Sequence, residues 1–448
     1  MQRSLSFSTQ VPRLLDGSVS PRALLERCVE ALGQREETVQ AFVALDLDAA
    51  QTAADASSRR YAEGAPLSPV DGMVLAVKDI VDTAGLPTQM NSPIFAGNQP
   101  ATDAACVRAL RAGGAVILGK THTTEFAFGR SAPTTNPHDP ARTPGGSSSG
   151  SAAAVGAGMA PAALATQTQG STLRPASYCG AAGYKPTHGV LSLQGVHPVS
   201  QTLDHLGVIA ADVEDAWRVA CQVSRVHPAP GSTGLPGAWG ESPKPILPAR
   251  LALLELEAYS ELDDATAAEF ERAIRLIERA GVRVRRMGVD AALAGLVVAF
   301  GEVPEASLDL VAWELRWPYE GYAAAHPGKL GPRFDDMLGR SRSLAAGEYR
   351  RVLDLRRDLR RRIAAMRAEY DGFLLPASSG PAPTGLAFTG NRAFQTPWTF
   401  VGLPAWSVPG LQVGGLPFGV QIAGHLGDDL RLAEYAAGLE TLLAARST

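Results

Sequence analysis

The chain has 448 residues, 45% hydrophobic and 19% charged, with a formal net charge of −4 at pH 7. That apolar mass supports a sizeable core, which excludes a disordered chain and a small disulfide-stapled scaffold. The balanced charge lacks the basic footprint of a nucleic-acid binder and shows no acidic tail.

In chain order, Met1–Phe7 carries no apolar signal core. Ser20 followed by Pro21 predicts a helix start, Arg22–Leu32 an amphipathic run, and Gly33 its stop. Met73–Val77 is an apolar strand ending at Lys78. Asp103–Arg111 reads as a helix closed by Gly113-Gly114, and Ala115–Leu118 as the next buried strand. Thr143–Leu173 contains no charge and is long enough to span a membrane. Its Ser, Gly, Thr and Gln content, with Pro144 and Pro161, predicts instead a buried segment of a globular protein. A short strand at Gly189–Ser192 and a helix at Asp212–Val223 follow. Pro228–Pro248 is a Pro/Gly-dense surface excursion. Leu251–Leu254 (strand), Ala265–Ala280 (helix) and Val282–Val284 (strand) restore the alternation, residues 305–370 read as mostly helical, and Pro404–Gly424 as two strands joined by Gly414-Gly415. The expected fold is a single α/β domain over 1–448, a large mixed sheet with helices on both faces. Within the run Arg356–Arg362 the apolar positions keep helical spacing, which predicts a solvated helix face.

The four cysteines, Cys28, Cys106, Cys179 and Cys221, are widely spaced without CxxC or zinc spacing, the pattern of reduced cytoplasmic thiols. The 41 basic residues comprise 36 Arg and only five Lys: Lys78, Lys120, Lys185, Lys244 and Lys329. Each Lys is worth asking about, because an amine can lose its proton and a guanidinium effectively cannot.

Two motifs match by letter only. Gly114–Thr121 fits GxxxxGK[ST], but its interior is itself a β-branched strand and cannot cradle phosphates. Gly146–Gly150 contains GxSxG around Ser148, yet no strand precedes it, and His188 and His205 downstream have no distinguishing context. Two Ser/Gly-rich stretches are more informative: Gly145–Ser151, opening the helix-compatible Ala152–Val155, and Thr166–Ser171. A nucleophilic serine needs a base, a backbone that presents N–H groups to an oxyanion, and little bulk around it. Gly170-Ser171 supplies flexibility and hydroxyl; a pair of turns with helix caps is the alternative.

The block Gly145–Val155, continuing through Ser171 to Arg174-Pro175-Ala176, Cys179-Gly180 and Lys185-Pro186-Thr187, closely resembles the amidase signature family. Val77-Lys78-Asp79, Gly85–Thr88, Gly119-Lys120-Thr121 with Glu125-Phe126-Ala127, and Gly402–Ala405 with Leu416–Ile422 resemble its other blocks, in order over nearly the whole chain. The resemblance implies a Ser–cis-Ser–Lys triad: Ser171 as nucleophile, Ser147 as bridging serine after a cis Gly146–Ser147 peptide, and Lys78 as neutral base. It places an oxyanion hole at the backbone of Thr168, Gln169, Gly170 and Ser171, and a signature core at 60–225. It implies hydrolysis of a linear carboxamide, carbamate or urea-like bond through an acyl-enzyme, with esterase or carbamate-cleaving side activity and no metal or cofactor. The implied partner is a small-molecule amide, with no nucleic acid or membrane, a cytoplasmic setting, and a homodimer compatible with the family.

Gly145, Gly146 and Phe126 are expected at the substrate, with Asn91–Phe95 and the helical region 228–370 shaping the pocket. There the aromatic set Trp313, Trp317, Tyr319 and Tyr322 lines an acyl pocket or packs helices. Lys120 and Lys185 read as structural, with Asp79 or Asp82 the competing ion-pair partners for Lys78. Gln167, Gln169 and Leu173 replace an Asp, a Gly and an Arg common in the family, with Arg174 one place later. These departures weaken the alternative, a non-hydrolytic subunit of amidotransferase type that works only in a complex.

Overall fold

In the computed structural model, residues 5–235 and 242–445 are described. The start of the N-terminal segment and the middle of the Pro228–Pro248 excursion therefore lie outside the described residues.

Strands in chain order are β1 (Phe42–Leu45), β2 (Val74–Lys78), β3 (Val116–Thr121), β4 (Ala162–Gln167), β5 (Ala182–Lys185) and β6 (His205–Ala210). They continue as β7 (Arg250–Leu253), β8 (Arg283–Arg285), β9 (Gly372–Pro376), β10 (Ala405–Val413) and β11 (Leu416–Ala423). They form one sheet ordered β1-β3-β2-β4-β6-β5-β10-β11-β9-β7-β8. The β2–β3, β2–β4, β7–β8 and β7–β9 pairs are parallel and the rest antiparallel. This is a single-domain α/β fold with helices on both faces, and the region 228–370 contributes the last two strands at one end of the sheet, β7 and the edge strand β8, as well as helices.

Strand alternation divides the core. Leu75 and Val77 pack into the larger cluster with Ile117 and Leu164. Val74 and Ala76 face the other way, into an alanine-rich cluster with Ala152–Val155 of the helix Ser149–Gly156. Small residues let that helix lie close. A Cβ on Gly150 would stand 2.2 Å from the Ala41 carbonyl oxygen, so only glycine fits there. The closeness brings the turn before this helix over the carboxyl ends of parallel β2 and β4, where ligands of α/β sheets gather.

The expected βα alternation is present, with corrections. Ser20 caps the helix Pro21–Val39, accepting from the Ala23 N–H, but the helix runs through Gly33. An exposed mid-helix glycine costs only about 1 kcal/mol, and buried Val39 anchors the last turn before Gln40 ends it at φ 50°. Gly189–Ser192 is a turn region with one isolated bridge, Leu191 to Pro228, because no neighbouring strand offers a ladder. The basic run is not simply solvated: Arg356 and Arg360 donate to the Phe400 and Val401 carbonyls at the C-terminus of the helix Thr396–Val401. Arg357, Arg361 and Arg362 pair with Asp354 and Asp358 on the exposed side. All four cysteines are buried and unbridged. Among the described residues, no single helix is long and apolar enough to cross a membrane.

Candidate active site

Lys78 ends β2 and is completely buried. Its Nζ lies 2.8 Å from Ser147 Oγ, 2.9 Å from Ser148 Oγ and 2.8 Å from Thr166 Oγ1. Those partners are all hydroxyls. Asp79 is turned away, 3.2 Å from Lys120 Nζ and accepting the Gln89 and Met90 N–H groups. Burial without a paired anion pushes the Lys78 pKa well below the ordinary lysine value, opposed only in part by the charge of Asp204. A neutral amine has two N–H donors and one lone pair. Three hydroxyls satisfy all three, two accepting and one donating.

Ser147 and Ser148 stand in the turn before the helix Ser149–Gly156, and the Gly146–Ser147 peptide is cis. The Ser148 N–H points at the Ser171 carbonyl, 3.4 Å away, and the Thr124 N–H donates to the Ser147 carbonyl at 3.2 Å. Ser171 follows β4 and is 8% exposed, against 4% for Ser147. Lys78, Ser147 and the Ser171 segment are thus brought together from positions far apart in sequence.

The loop leading to Ser171 is anchored at Gln167, Thr168 and Gln169. Thr168 Oγ1 donates to Asp204 Oδ1 (2.6 Å) and Gln169 Nε2 donates to Ser307 Oγ (2.9 Å), while the Gln169 carbonyl accepts from Thr399 Oγ1 (2.6 Å). Gln167 Oε1 accepts the N–H groups of Thr172 (2.8 Å) and Leu173 (3.0 Å), capping the helix Leu173–Cys179, and its amide donates to Thr399. The backbone N–H groups of Gln169, Gly170 and Ser171 have no hydrogen-bond acceptor among the described residues. Gly145 adopts φ 84°, and a Cβ there would lie 2.8 Å from Pro175 Cα. The Gly146 carbonyl accepts from Arg174 Nη2 at 2.6 Å.

Phe126 is fully buried, and its ring packs against Phe95, His197, Tyr319, Tyr322 and Phe334. Of the four aromatics expected together, Tyr319 and Tyr322 join this cluster. Trp313 stacks on Tyr349 and Trp317 is 68% exposed; the break at Trp317 (φ −104°, ψ 125°) turns it outward. Asn91, Ser92 and Pro93 line a separate cavity of about 490 Å³ whose walls include none of Lys78, Ser147 or Ser171.

Lys120 is structural as expected, bonded to the Pro87 carbonyl and Thr88 Oγ1 besides Asp79. The interior of Gly114–Thr121 is β3, which rules out a phosphate loop. Ser148 Oγ, at the centre of GxSxG, is bonded to Lys78 Nζ and donates to the Thr166 carbonyl, and no strand leads into it. Thr166 as a partner of Lys78, and Asp204 behind Thr168, escaped the sequence reading. The first lay inside a motif without a geometric cue, and the second lies 36 residues from its partner.

The family model described as Amidase matches residues 23–432, and the chain belongs to this amidase signature family. It is 32% identical to the A component of the glutamyl-tRNA(Gln) amidotransferase of Chloroflexus aurantiacus, over 96% of this chain and 94% of that protein. The native peptide amidase of Stenotrophomonas maltophilia superposes with a TM-score of 0.79 at 27% identity, covering 96% of this chain and 95% of that one. A further solved structure, described as an amidase, gives a TM-score of 0.82 at 28% identity, covering 99% of this chain and all of that one.

Proposed function

We propose that the chain hydrolyses the C–N bond of a small linear amide, carbamate or urea-like compound through an acyl-enzyme on Ser171. The observation that carries this reading is a buried Lys78 amine with no anionic partner, 2.8 Å from Ser147. Ser171 Oγ attacks the carbonyl carbon, its proton passing to Ser147 as the Ser147 proton passes to the Lys78 lone pair. Negative charge develops on the carbonyl oxygen beside the unpaired N–H groups of Gln169, Gly170 and Ser171, with Thr168 completing the loop. Such preorganised donors are worth about 3–4 kcal/mol each in related chemistry. Collapse expels the amine, which takes the proton back from Lys78 through Ser147, and water then cleaves the acyl ester by the same relay. The four unbridged thiols fit a reducing, cytoplasmic setting.

A second reading is an amidotransferase-type subunit that functions only in a complex, favoured by the identity to the Chloroflexus amidotransferase component. Amine release from a panel of amides, esters and carbamates separates the two. Hydrolysis by the isolated chain that disappears in Ser171→Ala supports the first reading. Hydrolysis retained in Ser171→Ala refutes it, and activity that emerges only with a co-purifying partner favours the second.

A further inference from the structure

Three arginines, Arg174, Arg333 and Arg392, lie close enough for their charges to act on one another, and two of them touch the turns that carry Ser147 and Ser171. Arg392 packs directly on it: a Cβ on Gly170, the residue before Ser171, would lie 3.2 Å from Arg392 Cβ. Arg174 holds the Gly146 carbonyl and also donates to Thr389 Oγ1 at 3.1 Å. Thr389 in turn closes over Gly146, its Cγ2 standing 2.8 Å from where a Cβ would be. Arg333, at the start of the helix Pro332–Ser343, lies with its guanidinium carbon 4.3 Å over the Phe128 ring.

Some half-buried arginines of this chain are neutralised by a carboxylate, as in Arg60–Asp71 and Arg340–Asp309, and others, Arg356 and Arg360, are held by backbone carbonyls. Among the described residues, Arg174, Arg333 and Arg392 form no ion pair, and Arg174 and Arg333 each carry a buried Nε without a hydrogen-bond partner. The acids that act on them from a distance are Glu305 and Asp336. Glu305 is held by Arg340 at 2.9 Å, and Asp336 is exposed. Burial lowers Arg174 and Arg392 to about 10, and the neighbouring guanidiniums push the same way, so all stay charged at neutral pH. A cationic, partly desolvated cluster without counter-charge is costly alone and attracts an anion. The planar fork of a guanidinium matches a carboxylate in two parallel hydrogen bonds.

Resting on the hydrolase reading, we infer that the substrate is an anionic amide, with a carboxylate near the scissile carbonyl held by Arg392 and Arg333. Arg174, buried and already bonded to Gly146, acts as a positioning residue. Arg333 and Arg392 are half-buried and so accessible to a ligand.

The test measures the rate at which a fluorophosphonate labels Ser171 in the full chain, with increasing oxamate, malonamate, succinamate or glutaramate, the matching neutral diamides, or inorganic phosphate. At least one half-amide is expected to protect Ser171 at a concentration at least about tenfold below its diamide. Arg392→Gln and Arg333→Gln are expected to erase that preference, and labelling without ligand shows that each variant is folded. Equal protection by charged and neutral partners, protection by phosphate alone, no protection at all, or a preference surviving in both variants overturns the inference and leaves the hydrolase reading standing. Absence of labelling at Ser171 overturns the hydrolase reading itself.

Discussion

Replacing Lys78 probes the proposed base. An ordinary lysine is neutral in only about one molecule in a few thousand at pH 7. Complete burial among three hydroxyls with no carboxylate shifts Lys78 strongly toward the neutral form. Lys78→Arg places a guanidinium that cannot deprotonate where the native amine is held toward its neutral form and no anion balances a charge, at a cost of several kcal/mol. Lys78→Met is therefore the companion variant, filling the same volume without charge. Loss of the base is expected to slow both amine release and fluorophosphonate labelling of Ser171 by about 10²–10⁴-fold in either variant. Because a proton relay acts as a unit, adding Ser147→Ala to Lys78→Met should cost little more. Rates are measured from pH 6 to 9, with circular dichroism confirming the fold. Labelling of Lys78→Met within tenfold of wild type would refute the assignment of Lys78 as base.

Other variants test the surroundings. Asp204, pushed up to about 6 by burial, is charged at neutral pH and raises the proton affinity of Lys78. Asp204→Asn should therefore move the acid limb of the pH–kcat/KM profile to lower pH, and an unmoved limb would exclude this coupling. Gln167→Ala strands the Thr172 and Leu173 N–H groups, with an expected loss of about 1–3 kcal/mol in denaturant unfolding; an unchanged midpoint would contradict the cap. Lys185, bonded to the Leu403 and Pro186 carbonyls, is lowered by burial to about 7. Between pH 7 and about 10 the unfolded chain binds more protons at this site than the folded one. Its contribution to stability must then rise with pH, by at most about 1.4 kcal/mol per unit, and level off below 7. Wild-type stability minus that of Lys185→Met should follow this slope, and a pH-independent difference would contradict it.

The lysines show what was legible in the sequence and what was not. Lys78, Lys120 and Lys185, the three that lie in family blocks, are completely buried, whereas Lys244 and Lys329 are exposed. The composition singled out lysine, but only packing shows which amine faces hydroxyls and which faces Asp79. The apolar runs of β2, β3, β10 and β11 were readable because buried strands are continuous in hydrophobicity. β4 and β5 hid among Ala, Gly, Thr and Gln, whose composition marks no strand, since their extended form is imposed by neighbours. Gln167 was visible as a departure from the family pattern, but its role as a helix cap depends on Thr172 and Leu173 folding back to it. The Arg174–Arg333–Arg392 cluster joins residues 159 and 59 positions apart, beyond any spacing signal.

Trapping the intermediate tests covalent catalysis at Ser171 most directly. The wild-type chain is mixed with an activated amide or aryl carbamate, quenched in acid within milliseconds to seconds, and analysed by intact and peptide mass spectrometry. The expected result is one acyl group per chain on the peptide containing Ser171, formed as fast as the first equivalent of amine is released and absent in Ser171→Ala. Amine release at the wild-type rate in Ser171→Ala, or an acyl group on another residue, would contradict it.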